Sequence, residues 1–242
     1  MAKFLDVGAS HGGPGRSRGL AEGGRRLLGQ LPGGMAELLW PTRCMGCDLP
    51  GELLCPSCRA SLPWVEQRHA CPTCGAPHGD IVCTACTGGW ETRAVVCALE
   101  FVGAAAQMVV CLKDQHELRL APVMAAAMAC ALDEASSWPA PDGLPRYDPS
   151  HLDALCFVPA TSEAYRRRGF DHMELVSRHL SGELGLPLAD VLARTPARDQ
   201  RLLGRAGRSA NLAGTVDVVE DVSGLRLLLA DDVITTGASV RE

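Results

Sequence analysis

Aromatic side chains are scarce in this chain: four Trp, two Tyr and four Phe amount to 4% of 242 residues. Hydrophobic residues nevertheless reach 47%, so the core has to be built from Ala, Val and Leu rather than rings. Also missing is any apolar run of the ~18 residues that a helix needs to cross a bilayer, and the chain reads as soluble and cytoplasmic. Positive charge is not in excess either. With 23 Lys and Arg against 28 Asp and Glu the formal charge is −5, which argues against a protein wrapped in nucleic acid through its global field. Local basic patches stay possible. Residues 1–30 carry Arg16, Arg18, Arg25 and Arg26 among glycines but lack the apolar block of a secretory signal. A disordered N-terminal extension is expected over 1–34.

What the chain has in plenty is cysteine. Twelve cysteines without an export signal imply a reducing compartment, where paired Cys-x-x-Cys units are metal ligands more often than disulfides. Eight of them lie between 35 and 90, together with six of the sixteen prolines, as expected for a small module stapled by metal. Their order is Cys44-x2-Cys47-x7-Cys55-x2-Cys58, then Cys71-x2-Cys74-x8-Cys83-x2-Cys86. Two such turns supply the four thiolates of a tetrahedral shell that zinc prefers, and a full shell leaves no open position for catalysis. Two structural Zn2+ sites are therefore expected, with disulfides or an iron-sulfur cluster as the lesser alternatives. The gaps of seven and eight residues are short for a ribbon, so pairing across the two sets stays open. Cys97, Cys111, Cys130 and Cys156 stand singly in apolar contexts and read as small core residues.

Beyond residue 90 the pattern becomes strands alternating with helices, which indicates an open, mostly parallel α/β sheet. The run 94–101 (AVVCALEF) reads as a strand, 104–132 as two helices broken at Pro122, and 136–150, with four prolines, as a surface loop. Residues 152–158 (LDALCFV) read as a buried strand, 169–184 as a helix, 191–212 as a long basic loop, and 225–230 (LRLLLA) as another buried strand.

That last strand runs into Asp231-Asp232-Val233-Ile234-Thr235-Thr236-Gly237-Ala238-Ser239. Amides at a turn and helix start point at a phosphate, Gly237 permits close approach, and Thr235, Thr236 and Ser239 add hydroxyl donors. Carboxylates cannot serve the phosphate, but they can accept hydrogen bonds from vicinal ribose hydroxyls. This stretch resembles the phosphoribosyl pyrophosphate (PRPP) motif of type I phosphoribosyltransferases. Val158-Pro159, Arg166-Arg167-Arg168-Gly169-Phe170, then Gln200, Leu203, Arg208 and Asn211, and the entry stretch Leu38-Leu39-Trp40-Pro41-Thr42-Arg43-Cys44 resemble the ComF family. In that family, linked to natural competence, a double zinc ribbon precedes a phosphoribosyltransferase-like domain.

The resemblance covers about residues 35–242 and implies a double zinc ribbon over 35–90 and a type I phosphoribosyltransferase-like domain over 91–242. It implies that Asp231 and Asp232 are the catalytic acids and that Val233, Thr235, Thr236, Gly237, Ala238 and Ser239 bind the phosphate. Arg166, Arg167 and Arg168 would face pyrophosphate, and Arg198 and Arg208 would lie on a loop covering the site. Lys113 matches a family lysine, although a lone lysine is usually solvated. Mg2+ would accompany the ligand. Members continue past the phosphate loop through a full helix and a last strand, whereas this sequence stops at Arg241-Glu242, so the domain is expected to be truncated there. Gly214-Thr215 stand where the family has an aromatic. Two functions follow: a Mg2+-dependent phosphoribosyltransferase acting on a nitrogen acceptor, or a non-catalytic competence adaptor binding single-stranded DNA or partner proteins. For the second, the nine arginines between Arg166 and Arg208 would be contact surfaces.

Overall fold

The computed structural model describes residues 41–84, 86, 92–194 and 216–234. From Arg43 onward the described residues form one compact unit; the extension expected over 1–34 lies outside the described residues. Helix α1 (Pro56–Ala60) buries no residue of its own; the core described here is carried by α2 (Gly103–Asp114), α3 (Leu120–Ala135) and, later in the chain, the helix His172–Leu184. Between α3 and that last helix come strand β1 (Ala154–Phe157) and helix α4 (Ser162–Arg168), so His172–Leu184 is α5. Strands β2 (Leu192–Arg194), β3 (Val216–Val218) and β4 (Leu227–Ala230) follow.

Each long helix buries a stripe at helical spacing. In α2 it is Ala105, Met108, Val109 and Leu112, and in α5 it is Met173, Val176, Ser177 and Leu180. Helix α3 hides Ala121, Ala125, Ala127, Ala131 and Ala135 among larger residues. These small side chains let it lie close against α5, its most extensive helix partner. That is how a chain poor in rings fills its core.

Strands β1 and β4 are parallel, with Ala154 opposite Leu227 and Phe157 opposite Ala230. On the other flank of β1 the Leu155 amide donates to Pro187 and the Ala189 amide donates back to Leu155, at 2.9 and 2.8 Å. All four residues of β1 are buried, as its uninterrupted apolar sequence requires. The described residues thus form an α/β unit with a small parallel sheet, plus the antiparallel pair β2 and β3.

Several boundaries differ from expectation. Residues 94–101 do not form a strand. They run extended along the metal-binding module, with a single bridge between Trp64 and Leu99 and amide bonds from Val65 to Ala98 and from Glu100 to Pro63, too few to make a ladder. The break between α2 and α3 falls at 115–119 rather than at Pro122. Pro122 lies in the first turn of α3, where its missing N–H would be unpaired anyway. Helix α4 is an element that the sequence reading lacks. Thr161 caps it by accepting the Ala164 amide, and Gly169 ends it at φ 79°, a left-handed position that suits glycine. The following helix consequently starts at His172, not Gly169. Of the expected loop 191–212, residues 192–194 are strand β2 and 195–212 lie outside the described residues.

The metal-binding module and the α/β layer share one core: Cys44, Leu54 and Leu62 cluster with Met108, Leu112 and Leu155. A buried polar lock joins them as well. Gln67 is 0% exposed; its side chain donates to the carbonyls of Val65 and Cys97 at 2.8 and 2.9 Å. Its own amide donates to Glu134 of α3, and its carbonyl accepts from Arg146, which the proline-rich loop 136–150 folds back to bury. Replacing Gln67 with Leu strands two buried carbonyls. The expected loss is about 2–3 kcal/mol in urea unfolding, against a near-neutral result if the lock is incidental.

Candidate functional site

The eight clustered cysteines assemble in sequence order, not across sets. Cys44, Cys47, Cys55 and Cys58 form one group and Cys71, Cys74, Cys83 and Cys86 another, with all ligand atoms of a group within 4.8 Å of one another. Sulfur separations of 3.8 Å (Cys47 to Cys55) and 3.5 Å (Cys71 to Cys86, Cys74 to Cys83) match the edge of about 3.8 Å set by zinc-sulfur bonds of about 2.3 Å. Short gaps suffice because local turns reverse the chain. Asp48 donates its amide back to Cys44, and Pro56 starts α1 directly after Cys55, so that Cys58 returns to the cluster within one turn.

Backbone amides serve the sulfurs, as those of Gly46 and Cys55 both donate to Cys44 Sγ at 3.4 Å. Burial opposes ionisation of Cys44, but the amides of Cys55, Cys47 and Gly46 bring its thiol down to about 6. Hydrogen bonds with Cys44 and Cys55 push Cys58 up to about 12. Four packed thiols cannot all ionise unaided, and a divalent cation removes the conflict. Gly46 is needed for closeness: a Cβ there would sit 2.6 Å from Cys58 Sγ. Both four-cysteine groups fit structural Zn2+.

A second constellation stands at the C-terminal ends of β1 and β4. Val158 donates its amide to Ala230 at 3.0 Å, so the segment from Val158 and the pair Asp231-Asp232 leave the sheet side by side. This is where open parallel sheets hold ligands. Lys113, at the end of α2, ion-pairs with Asp232 Oδ2, and His172, first residue of α5, meets the same oxygen through Nε2 at 2.8 Å. Asp231 is served differently: its Oδ1 accepts the amide of Asp232 at 2.9 Å.

The two acids accordingly titrate in opposite directions. Burial, reinforced by the neighbouring Asp232 charge, pushes Asp231 up to about 6. Burial acts on Asp232 too, but the bonds from His172 and Lys113 outweigh it and hold that carboxyl well below the usual range.

Asp171 completes the framework. Its Oδ1 accepts the amides of Met173 and Glu174, capping α5, while Oδ2 accepts the Ala160 amide at 2.5 Å. The exit of β1 is thereby tied to the start of α5. The three arginines divide: Arg167 and Arg168 pair with Asp114 at 3.8 and 3.3 Å, and Arg166 lines a cleft of about 430 Å³ with Pro159, Ala160, Asp171 and Arg194. Val233 packs on the core. Thr235, Thr236, Gly237, Ala238, Ser239, Arg198 and Arg208 lie outside the described residues.

Sequence reasoning missed His172 and Asp171, and it reached Lys113 only as a match to a family lysine. Asp171 with Glu174 three residues on is a helix-start signature that would have placed the cap. Nothing local marks His172, whose partner is sixty residues away.

Residues 35–88 match the double zinc ribbon domain family. Over 214 residues the chain is 28% identical to the DNA utilization protein YhgH of Salmonella typhi, covering 84% of this chain and 88% of that protein. The protein of the same name from Escherichia coli strain K12 is 24% identical over 213 residues, with the same coverage of each. No solved structure matches. The chain thus carries a double zinc ribbon over residues 35–88 and is homologous to the DNA utilization protein YhgH, in keeping with the ComF-family resemblance of its motifs.

Proposed function

We propose that the protein binds PRPP, or a related phosphoribosyl ligand, with Mg2+ at the C-terminal ends of β1 and β4, in a phosphoribosyltransferase-like domain over 91–242. The observation that carries this reading is the divided acidic pair. Asp232 is held ionised by Lys113 and His172, while Asp231 has, among the described residues, a backbone hydrogen-bond partner alone and keeps acceptor capacity for ribose hydroxyls. Thr235, Thr236, Gly237, Ala238 and Ser239 follow directly in sequence as the phosphate-binding turn. Arg166 stands on the β1 side, where pyrophosphate would lie, and Arg198 and Arg208 belong to the covering loop.

The chemistry open to such a site is displacement at the sugar C1. The bond from C1 to pyrophosphate oxygen breaks with its electron pair leaving on pyrophosphate, a bond from the acceptor nitrogen to C1 forms, and the nitrogen gives up a proton. Carboxylate oxygens are the hard donors Mg2+ takes, and bound Mg2+ supplies charge neutralisation for the diphosphate. Asp231 and Asp232 orient the ribose and favour the cationic ring of the transition state. Calorimetry with PRPP on the zinc-loaded chain should give saturable heat that requires Mg2+; no binding with or without Mg2+ would sink the reading.

A second reading rests on Tyr165, an exposed ring beside Arg166 and Arg167 at the end of α4, and on relatives named for DNA utilization. An aromatic next to cations is a stacking platform for single-stranded DNA, suited to a competence-machinery adaptor. Salt-sensitive binding of single-stranded DNA that survives Asp231→Asn/Asp232→Asn supports it.

A further inference from the structure

We infer that His172 is the positioning residue of the acidic pair: it fixes the plane of the Asp232 carboxylate so that the pair meets the hydroxyls of a bound ribose. The inference rests on the phosphoribosyl reading and deepens it.

Among the described residues both side-chain donors to Asp232 fall on Oδ2, so Oδ1 keeps acceptor capacity for a ligand. The two donors are not equivalent. An ammonium is a compact charge whose protons rotate freely on a flexible stem, so Lys113 supplies charge without direction. An imidazole donates along one axis in the plane of its ring. Because an ionised carboxylate only accepts, Nε2 carries the proton and donates to Asp232.

The ring itself is held from behind. His172 follows Asp171, whose carboxylate is committed to the amides of Ala160, Met173 and Glu174. The ring therefore starts from a backbone anchored both to the exit of β1 and to the first turn of α5. A chain of contacts then runs from Ala160 through Asp171 and His172 to Asp232, joining the ends of the two parallel strands by side chains as well as by the sheet.

Buried polar side-chain atoms are in the large majority hydrogen-bonded. The His172 side chain is 7% exposed, yet its Nδ1 is buried with no hydrogen-bond partner among the described residues; the Asp171 carboxylate is 3.9 Å away. Burying a polar nitrogen unpaired is unfavourable. The imidazole sits where its one hydrogen bond among the described residues is the bond to Asp232.

The test compares ribose 5-phosphate with inorganic phosphate, binding to the zinc-loaded full chain being followed by calorimetry or NMR titration. His172→Ala should weaken ribose 5-phosphate about 10-fold while leaving phosphate unchanged, so that the preference for the sugar collapses. His172→Gln, whose amide nitrogen reaches the place of Nε2, should restore most of the preference. If the wild type shows no preference for the sugar phosphate, the phosphoribosyl reading falls and the inference with it. If the wild type prefers it and His172→Ala keeps that preference, the role of His172 is refuted and the broader reading stands. Equal loss of both probes with a lowered melting temperature assigns His172 to structure and overturns the inference.

Discussion

Stripping the metal with a chelator should release two equivalents of zinc per chain, one from each four-cysteine group, and unfold the protein well beyond the ribbon. Each structural zinc contributes on the order of 10 kcal/mol to folding, as much as the whole stability of a typical domain. The loss propagates because Cys44, Leu54 and Leu62 lie in the same cluster as Met108 and Leu112 of α2. Lys113 follows Leu112 on that helix and holds Asp232. A zinc-reporting dye followed beside circular dichroism should therefore show helix signal falling in step with zinc release. Single substitutions separate the centres: Cys47→Ser or Cys83→Ser should each bring the stoichiometry from two to one. Cys130→Ser, at an exposed single cysteine, should change nothing. If the helices keep their thermal midpoint after both zincs are gone, the ribbon and the α/β layer are independent and the shared core is energetically minor.

The adjacent acids should respond oppositely to the same substitution. Asp231→Asn is expected to raise stability at pH 7 by about 1–3 kcal/mol, since a shift of one pKa unit corresponds to about 1.4 kcal/mol. The sign follows from the proton count. The Asp231 carboxyl is raised to about 6, so between about pH 4 and 6 the folded state keeps a proton that the unfolded chain has lost, and stability falls as pH rises through that window. Above it the whole penalty is present, and a neutral amide removes it.

Asp232→Asn should instead destabilise by about 2–4 kcal/mol, because it leaves Lys113 without its counter-charge. The Asp232 carboxyl is depressed in the folded state. Its contribution is thus full above the ordinary carboxylate range and is lost only as pH falls through the depressed value. Both variants should lose PRPP binding. Thermal melts from pH 4 to 8 beside a ligand titration decide the matter, and two variants shifting the melting temperature in the same direction would show that the acids are not divided as described. A stabilising change that abolishes binding is the usual sign of a site kept at the expense of stability.

Local chemistry was readable wherever a residue's role depends on its near neighbours. The Cys-x-x-Cys pairs announced metal because two thiolates on one turn have few other uses in a reducing compartment. The apolar runs at β1 and β4 announced parallel strands, since a strand covered on both faces loses its alternation; β1 is buried throughout, whereas β4 is half-buried except at Ala230. The existence of α2 and α5 was legible from helix-forming composition between breakers, although their bounds and buried faces were not. By contrast, 94–101 has a strand's composition but becomes an extended strap on the ribbon, because propensity does not supply a pairing partner. Helix α4 escapes a reading by composition although Thr161 and Gly169 mark its ends, since a run of three arginines draws attention to charge before geometry.

By itself, the sequence determined the eight metal-ligating cysteines, the α/β alternation and the place of the acidic pair after an apolar strand, all of which rest on contacts within a few positions. Only the tertiary structure decided that the cysteines group in order. It alone brought Lys113 and His172 onto one oxygen of Asp232, committed Arg167 and Arg168 to Asp114, and locked the ribbon to α3 through Gln67. The physical reason is range. Hydrogen bonds and ion pairs act over a few ångströms, and which distant residues come that close is settled by how helices and strands pack, not by the side chains' own chemistry.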